Sequence, residues 1–461
     1  MASVRACAIW RSSPAFSATA TTTSPSISGR NRRSRSSCTS TTGRSSARSR
    51  APHARRKNAH ASNLISGMRR AVRRCTMRRT IVALMVVALA AISAYAQEEG
   101  GPVSSSILNN PTGYTAAYVM EPSTGRVLYE YNSHTPLPTA SMSKMMTLLL
   151  AMDEIQAGNL HYDTQVTISA RASKMGGSQI YLRAGSVWPV KNLLIATMVH
   201  SANDAAEAIA EKIGGSAESF ADLMNAKAQE LGLKDSHFYD PHGLPAKDPK
   251  MNNVMSAHDL AILGRELMKH PFMRSLAVIP EMEFRNATLE KIYNPNRLLR
   301  FYEGTTGIKT GFSGPAGFCV TASAKRNNME LIAVVMGAKT SRGPESSFEI
   351  AGRLMNQAFI NYKMVTPVKQ GTVVAQAPVS EGRAKVVPVV AAADAKALVK
   401  RGEEKGVRVA FSGGKVTAPV KRGQRVGTIV VQRGNETLAK IPAIAAQDVP
   451  KQAWWKSFLP F

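Results

Sequence analysis

The run Ser141-Met142-Ser143-Lys144-Met145-Met146-Thr147-Leu148-Leu149-Leu150-Ala151-Met152 restricts the fold more than any other part of the chain. Its residues favour a helix, expected to open at Thr139 or Ala140 and to run through Met152. Such a helix is too apolar to rest on a surface, so it belongs inside a core that other elements must cover. Lys144 then becomes a basic group in a dry helix, with few routes to water and a need for a polar partner. Ser141 precedes it by three residues, a spacing that puts both side chains on one face.

Free serine is a weak nucleophile and needs a base or a strong field beside it. A lysine can be that base once desolvation and nearby cations lower its pKa, and a helix start favours negative charge there. Ser-x-x-Lys alone is a weak signal. Two further groups strengthen it. Ser201-Ala202-Asn203 falls within a helix expected over Val190–Ile213, where polar residues at 200, 201, 203 and 204 interrupt an apolar run. They mark either a solvated or helix-bonding face, or a Ser201 hydroxyl relaying a proton at Lys144 while Asn203 positions Lys144 and a substrate amide. Lys309-Thr310-Gly311 lies on an expected strand. Lysine there gives positive potential, the threonine hydroxyl can meet a carboxylate, and glycine admits a ligand backbone. The plainer reading of that tripeptide alone is an edge-strand turn.

Tyr114–Met120 and Arg126–Tyr129, joined by Glu121–Gly125, read as a hairpin. Helices are expected over Ser216–Leu231, ending at Gly232, over Ser256–Lys269, ending at His270-Pro271, and from about Pro344 to Tyr362. Strand runs occupy Thr305–Lys309, Ala316–Ala324 and Leu331–Gly337. Strands at both ends with helices between them imply an α+β domain whose antiparallel sheet is built from both ends and flanked by helices. We place it at residues 97–365. Residues 366–447 read as a small all-β domain, with runs at Val386–Val390, Val407–Phe411 and Arg425–Val431. Ala418–Gly427 looks like a tight hairpin, as in a lipoyl-type module, but no lysine sits at a two-residue tip to carry that cofactor. Residues 448–461 form an aromatic tail. Trp454, Trp455, Phe458 and Phe461 share one face if helical, which suits contact with a membrane surface, packing on the β domain, or a frayed end.

The formal net charge of +28 is unevenly placed. Residues 1–76 are low in complexity and hold 15 Arg, one Lys and no acid, whereas the balance from Gln97 onward is +10. Met77-Arg78-Arg79-Thr80, the apolar run Ile81–Ile92 and Ala94-Tyr95-Ala96 read as a secretory signal peptide at 77–96, cleaved after Ala96. Translation is then expected to begin at Met77, making 1–76 an artefact of the assigned start. The rival reading is a basic arm before an uncleaved anchor. An exported chain would rarely meet nucleic acid, so no nucleic-acid partner is expected. Cys319 is the one cysteine beyond Cys7, Cys38 and Cys75, and its strand setting suits a buried inert thiol. His237 and His242 lack metal-ligand spacing, and neither metal nor other cofactor is called for. Ser141 also lacks the G-x-S-x-G setting of a Ser-His-Asp hydrolase.

In order and context the three motifs form a known catalytic signature. Around them stand Pro138–Thr147, Asp240-Pro241-His242-Gly243-Leu244, Met255–Leu260, Gly307–Phe312 and Ala316–Cys319. Over residues 105–447 the chain resembles the low-molecular-mass penicillin-binding proteins of the D-alanyl-D-alanine carboxypeptidase type. The resemblance implies a β-lactamase/transpeptidase-like catalytic domain with a five-stranded antiparallel sheet, then a β-rich stalk. It implies a periplasmic enzyme acting on peptidoglycan stem pentapeptides and acylated by β-lactam antibiotics; the membrane reading of the tail would then be a peripheral contact with the inner membrane. In that mechanism Ser141 attacks, Lys144 accepts its proton, Ser201 relays it to the leaving D-alanine, and the backbone N–H groups of Ser141 and Phe312 hold the oxyanion. Lys309, Thr310 and Gly311 bind substrate. The family arginines near Tyr293–Leu299 and Lys339–Pro344 are displaced here, and Arg342 is the expected carboxylate ligand. DD-endopeptidase, serine β-lactamase and an idle wall-binding protein are the alternatives; the extra β domain and the lack of a Glu-x-x-x-Asn loop weigh against a β-lactamase.

Overall fold

The computed structural model describes residues 113–453, except 285, 287 and 344. The expected signal peptide, the segment before it and the tail aromatics lie outside the described residues. Strands β1 (Ala116–Glu121) and β2 (Arg126–Tyr131) form the expected hairpin. A 3-10 turn over Ala140–Ser143 leads into α1 (Lys144–Ala157). Next come α2 (Val190–Ile195), α3 (Asn203–Gly214), α4 (Ala217–Leu231) and α5 (Ala257–Leu267). Strands β3 (Thr305–Ser313), β4 (Gly317–Arg326) and β5 (Met329–Ala338) precede α6 (Ser347–Asn361).

The sheet order is β2-β1-β5-β4-β3, antiparallel throughout, so the first hairpin joins the late strands through β1 and β5. Because side chains alternate along a strand, β5 feeds two cores. Ile332, Val334 and Met336 pack into the cluster with Met145, Leu148 and Leu263, and Leu331, Ala333 and Val335 into one with Phe348, Leu354 and Met355. Each fully buried Leu or Met contributes about 1.5–3 kcal/mol, and α1 is covered from Lys144 to Met152, the apolar part of its length, with its last turn reaching the surface. Helix ends follow local chemistry: the side chains of Ser216, Ser256 and Ser346 accept the N–H of the residue three positions on, as N-caps do. Gly232 closes α4 at φ 72°.

Three expectations need correction. The single helix over Val190–Ile213 is interrupted. After α2 the chain makes a π turn over Ala196–His200, Ser201 turns left-handed at φ 64°, and Ala202 is extended before α3 begins. His270-Pro271 ends one helix only to start another, because proline is acceptable at a first helical position; that short helix covers Pro271–Ala277. Ala418–Gly427 is no tight hairpin. Val416–Thr417 pairs in parallel with Val379–Ser380, whereas Arg425–Arg433 pairs with Val407–Gly413 and Glu436–Ala445.

Beyond α6 the chain is β-rich, with a six-stranded sheet and the separate pair Tyr362–Val368 with Ala395–Lys400. Arg126 fastens it to the edge of the first sheet by donating to the Leu398 carbonyl at 3.0 Å and pairing with Glu436 at 3.1 Å. Arg401 donates to the Phe359 carbonyl. Among the described residues, no helix is long and apolar enough to cross a membrane.

Candidate active site

Ser141 lies in the 3-10 turn that opens α1, where Ala140 adopts φ 46°. A non-glycine residue in that region stores about 1–3 kcal/mol of strain and needs external support. Support comes from two sides. Thr139 donates its N–H to the Asn253 carbonyl at 3.2 Å, while Asn253 also holds the Tyr239–Asp240 turn through its side chain. On the other side β3 runs so close that a methyl group at Gly311 would stand 2.6 Å from the Thr139 carbonyl oxygen. The space at Gly311 is thus filled by the nucleophile turn as well as open to the cavity. Gly311→Ala is expected to cost about 1–3 kcal/mol and to slow any chemistry at Ser141. An unfolding midpoint equal to wild type would contradict this.

Lys144 is wholly buried, with its Nζ 2.9 Å from Ser141 Oγ and 2.7 Å from the His242 carbonyl oxygen. Burial, then the charge of Lys309, hold its pKa well below the ordinary lysine value against the opposing pull of Asp240 and Asp204. This is the state a lysine needs to accept a proton near neutral pH. Lys309 is also buried, and burial lowers its pKa to about 7. Its Nζ donates to Ser201 Oγ at 2.6 Å and to the Thr310 carbonyl at 3.2 Å. Ser201 therefore hydrogen-bonds Lys309. The left-handed turn at Ser201 aims its hydroxyl toward β3, which a continuous helix would not have done.

Asn203 differs from expectation in its bonding. Its Nδ2 donates to the Gly176 carbonyl at 2.6 Å and its N–H to the Ser178 carbonyl at 2.7 Å, while its buried Oδ1 has no hydrogen-bond partner. The His242 carbonyl, rather than Asn203, meets Lys144. Asp204 accepts from the N–H groups of Ile180 and Leu182 and anchors the same segment; burial raises its pKa, offset only in part by these bonds. Neither the 176–182 segment nor the His242 carbonyl was singled out for the site from sequence. The Gly176-Gly177 pair is the one local signal, since a Cβ at Gly177 would come 2.8 Å from Asn203 Nδ2.

Ser141, Ser201, Asn203, Thr310, Gly311 and Phe312 line one cleft of about 530 Å³, together with Gly177, Ser178, Leu244 and Arg297. The amines of Lys144 and Lys309 lie behind this wall. Phe312 is 61% exposed and stacks on Phe318 at 4.2 Å between ring centroids, giving an apolar side to the mouth. Arg342 is exposed and does not line the cleft. The arginine at the rim is Arg297, which donates to the Ser341 carbonyl at 2.9 Å. It is carried there by the Asn294–Asn296 turn, where Asn296 bonds the Gly307 carbonyl. Cys319 lies against the cleft but is 2% exposed, and burial pushes its thiol up to about 11. Among the described residues no cluster of three or more His, Cys, Asp or Glu is placed to hold a metal.

A family model described as D-alanyl-D-alanine carboxypeptidase matches residues 110–340, and one described as the C-terminal domain of penicillin-binding protein 5 matches residues 362–451. The D-alanyl-D-alanine carboxypeptidase DacF of Bacillus subtilis is 36% identical over 386 residues, covering 82% of this chain and 95% of the relative. DacC of Escherichia coli is 32% identical over 342 residues, 72% of this chain and 83% of the relative. The crystal structure of penicillin binding protein 5 from Haemophilus influenzae superposes with a TM-score of 0.63 at 28% identity, over 74% of this chain and 98% of that one. With Ser141 in the wall of a cleft and the buried Lys144 behind it, these matches show that the chain belongs to the D-alanyl-D-alanine carboxypeptidase family of low-molecular-mass penicillin-binding proteins, serine hydrolases of peptidoglycan.

Proposed function

We propose that this chain removes the terminal D-alanine from peptidoglycan stem pentapeptides through an acyl-Ser141 intermediate, and that penicillins acylate the same oxygen. The observation that carries this reading is the 2.9 Å contact between Ser141 Oγ and a buried lysine amine whose charged form is disfavoured. Neutral Lys144 takes the Ser141 proton as Oγ bonds to the penultimate carbonyl carbon. The negative oxygen faces the backbone N–H groups of Ser141 and Phe312, both residues of the cleft wall, and donors so placed strengthen as charge develops. The proton passes from Lys144 to the leaving amine with Ser201 as relay, its hydroxyl polarised by Lys309. Water, activated by Lys144, then hydrolyses the ester.

Asn203, at the cleft wall, orients the substrate amide and the Ser178 segment. Lys309, Thr310 and Gly311 form the strand along which the peptide lies. Arg297 is a better candidate than Arg342 for the terminal carboxylate, because it lines the rim. Arg297→Ala is expected to raise KM for a pentapeptide about tenfold, as loss of one charge-assisted bond implies, with kcat little changed. A loss in kcat alone would assign it elsewhere.

Acylation should fall as pH drops through the lowered pKa of Lys144, because only the free amine accepts the proton. Release of D-alanine from a pentapeptide ending in D-Ala-D-Ala tests the whole reading; an intact pentapeptide after incubation would refute it. We read residues 97–365 as the catalytic unit and 366–447 as a β-rich module. A cleaved signal at 77–96 would export the enzyme to the periplasm, with the 448–461 tail touching the membrane surface.

A further inference from the structure

Glu207 stands one helical turn beyond Asn203 on α3, fully buried, yet it lines no part of the cleft. Neither of its oxygens has an aligned hydrogen-bond donor. Arg171 Nε lies 2.6 Å from Oε1 without aiming its N–H along the contact, and His242 Nε2 lies 3.7 Å from Oε2. These charges lie close but are not aligned as hydrogen-bond donors, so they offset only part of the cost of burying the carboxylate. Stability therefore gives little reason for an acid at this position.

Geometry supplies another reason. The residue beside Glu207 is the one whose carbonyl accepts from Lys144. The His242 ring is bracketed by carboxylates, Asp240 Oδ1 at 3.0 Å from Nδ1 and Glu207 on the Nε2 side. Asp240 also accepts the His242 and Gly243 N–H groups. The turn cannot slide toward the nucleophile, since a methyl group at Gly243 would already collide with the Ala140 carbonyl. Leu244 donates its N–H to the ring's Nδ1 at 3.1 Å, so the ring is tied to the backbone of the same turn that carries the carbonyl, and Glu207 stands against its other nitrogen. That carbonyl takes one Lys144 N–H, which leaves the lone pair of the neutral amine to face Ser141 Oγ.

We propose that Glu207 is a positioning residue for the Ser141–Lys144 pair, holding the His242 ring and thereby the carbonyl that orients the Lys144 amine. The inference rests on the acyl-serine reading above. The charged groups facing Glu207 are Arg171, itself paired with Glu218, Glu211 on its own helix, and Asp240 and His242 on the opposing turn.

The test is the rate of acylation by a fluorescent penicillin as a function of pH, with unfolding midpoints, for the full chain and for Glu207→Gln and Glu207→Met. Both variants should acylate about tenfold to a hundredfold more slowly, the scale of a misoriented reacting group. The acid-side midpoint should move to lower pH, because the Lys144 ammonium loses a well-placed acceptor. The Met variant should unfold no earlier than wild type. Wild-type rates and midpoints in both variants would overturn the inference. So would slower acylation accompanied by a lower unfolding midpoint and an unmoved pH profile, the mark of a purely structural residue. A wild type that takes no label sinks the acyl-serine reading and this inference with it, whereas labelled wild type and equally fast variants sink this inference alone.

Discussion

Ser141→Ala is expected to abolish covalent labelling by a fluorescent penicillin and to lower D-alanine release at least about a thousandfold, the scale on which removal of a serine nucleophile acts. The variant should remain folded. Ser141 is only partly buried, and its hydroxyl is one of two groups that meet Lys144 Nζ; the His242 carbonyl stays in place. Stability should therefore change by no more than about 1 kcal/mol, the net value of one such bond. The measurement is gel fluorescence of the denatured chain after incubation with the penicillin. Label retained by the alanine variant would assign the nucleophile to another residue and remove the basis of the proposed mechanism.

Lys309→Met is expected to separate activity from stability in opposite directions. Burial brings the Lys309 pKa down to about 7, against about 10.4 for a free lysine. Between those pH values the unfolded chain binds a proton that the native chain does not. Wild-type stability consequently rises with pH across this window, with a slope of at most about 1.4 kcal/mol per unit. Below about 7 both states are protonated, the slope vanishes, and the native state bears the full cost of a buried ammonium. The Met variant lacks this term, so it should be the more stable protein by a few kcal/mol at pH 7, with the gap closing toward pH 10. Loss of the amine that polarises Ser201 should meanwhile slow acylation about a hundredfold, as for other electrostatic stabilisers. Urea unfolding of both proteins at pH 7 and pH 9 checks the sign. Stability differences that stay constant with pH would show that Lys309 keeps its charge in the native state.

Much of this arrangement was legible in the chain because its causes are local. The serine caps at 216, 256 and 346 and the glycine after Leu231 act within one helical turn, and the helices begin and end at them. The alternation of β5 shows in three consecutive pairs of residues. Ser201 was misread for the opposite reason: its neighbours carry a helical pattern, and nothing within a few positions indicates that the chain leaves the helix there. What holds that break is distant, since Lys309 lies 108 residues away on β3. Which arginine reaches the rim also depends on distant contacts. Arg342 is the residue expected from sequence, whereas the Asn294–Asn296 turn, tied to Gly307, carries Arg297 to the cleft.

The sequence by itself determined that the helix bearing Ser141 and Lys144 must be buried, that the two side chains share a face, and that strands from both ends of the catalytic region build one sheet. Composition and spacing suffice for these, because burial and periodicity are properties of short segments. Only the tertiary structure decided which groups surround the Lys144 amine. The His242 carbonyl lies 98 residues away from it, Lys309 is turned to Ser201, and Asn203 to Gly176. Such partners are chosen by how elements pack, and for a buried amine it is those partners and the exclusion of water that set its charge.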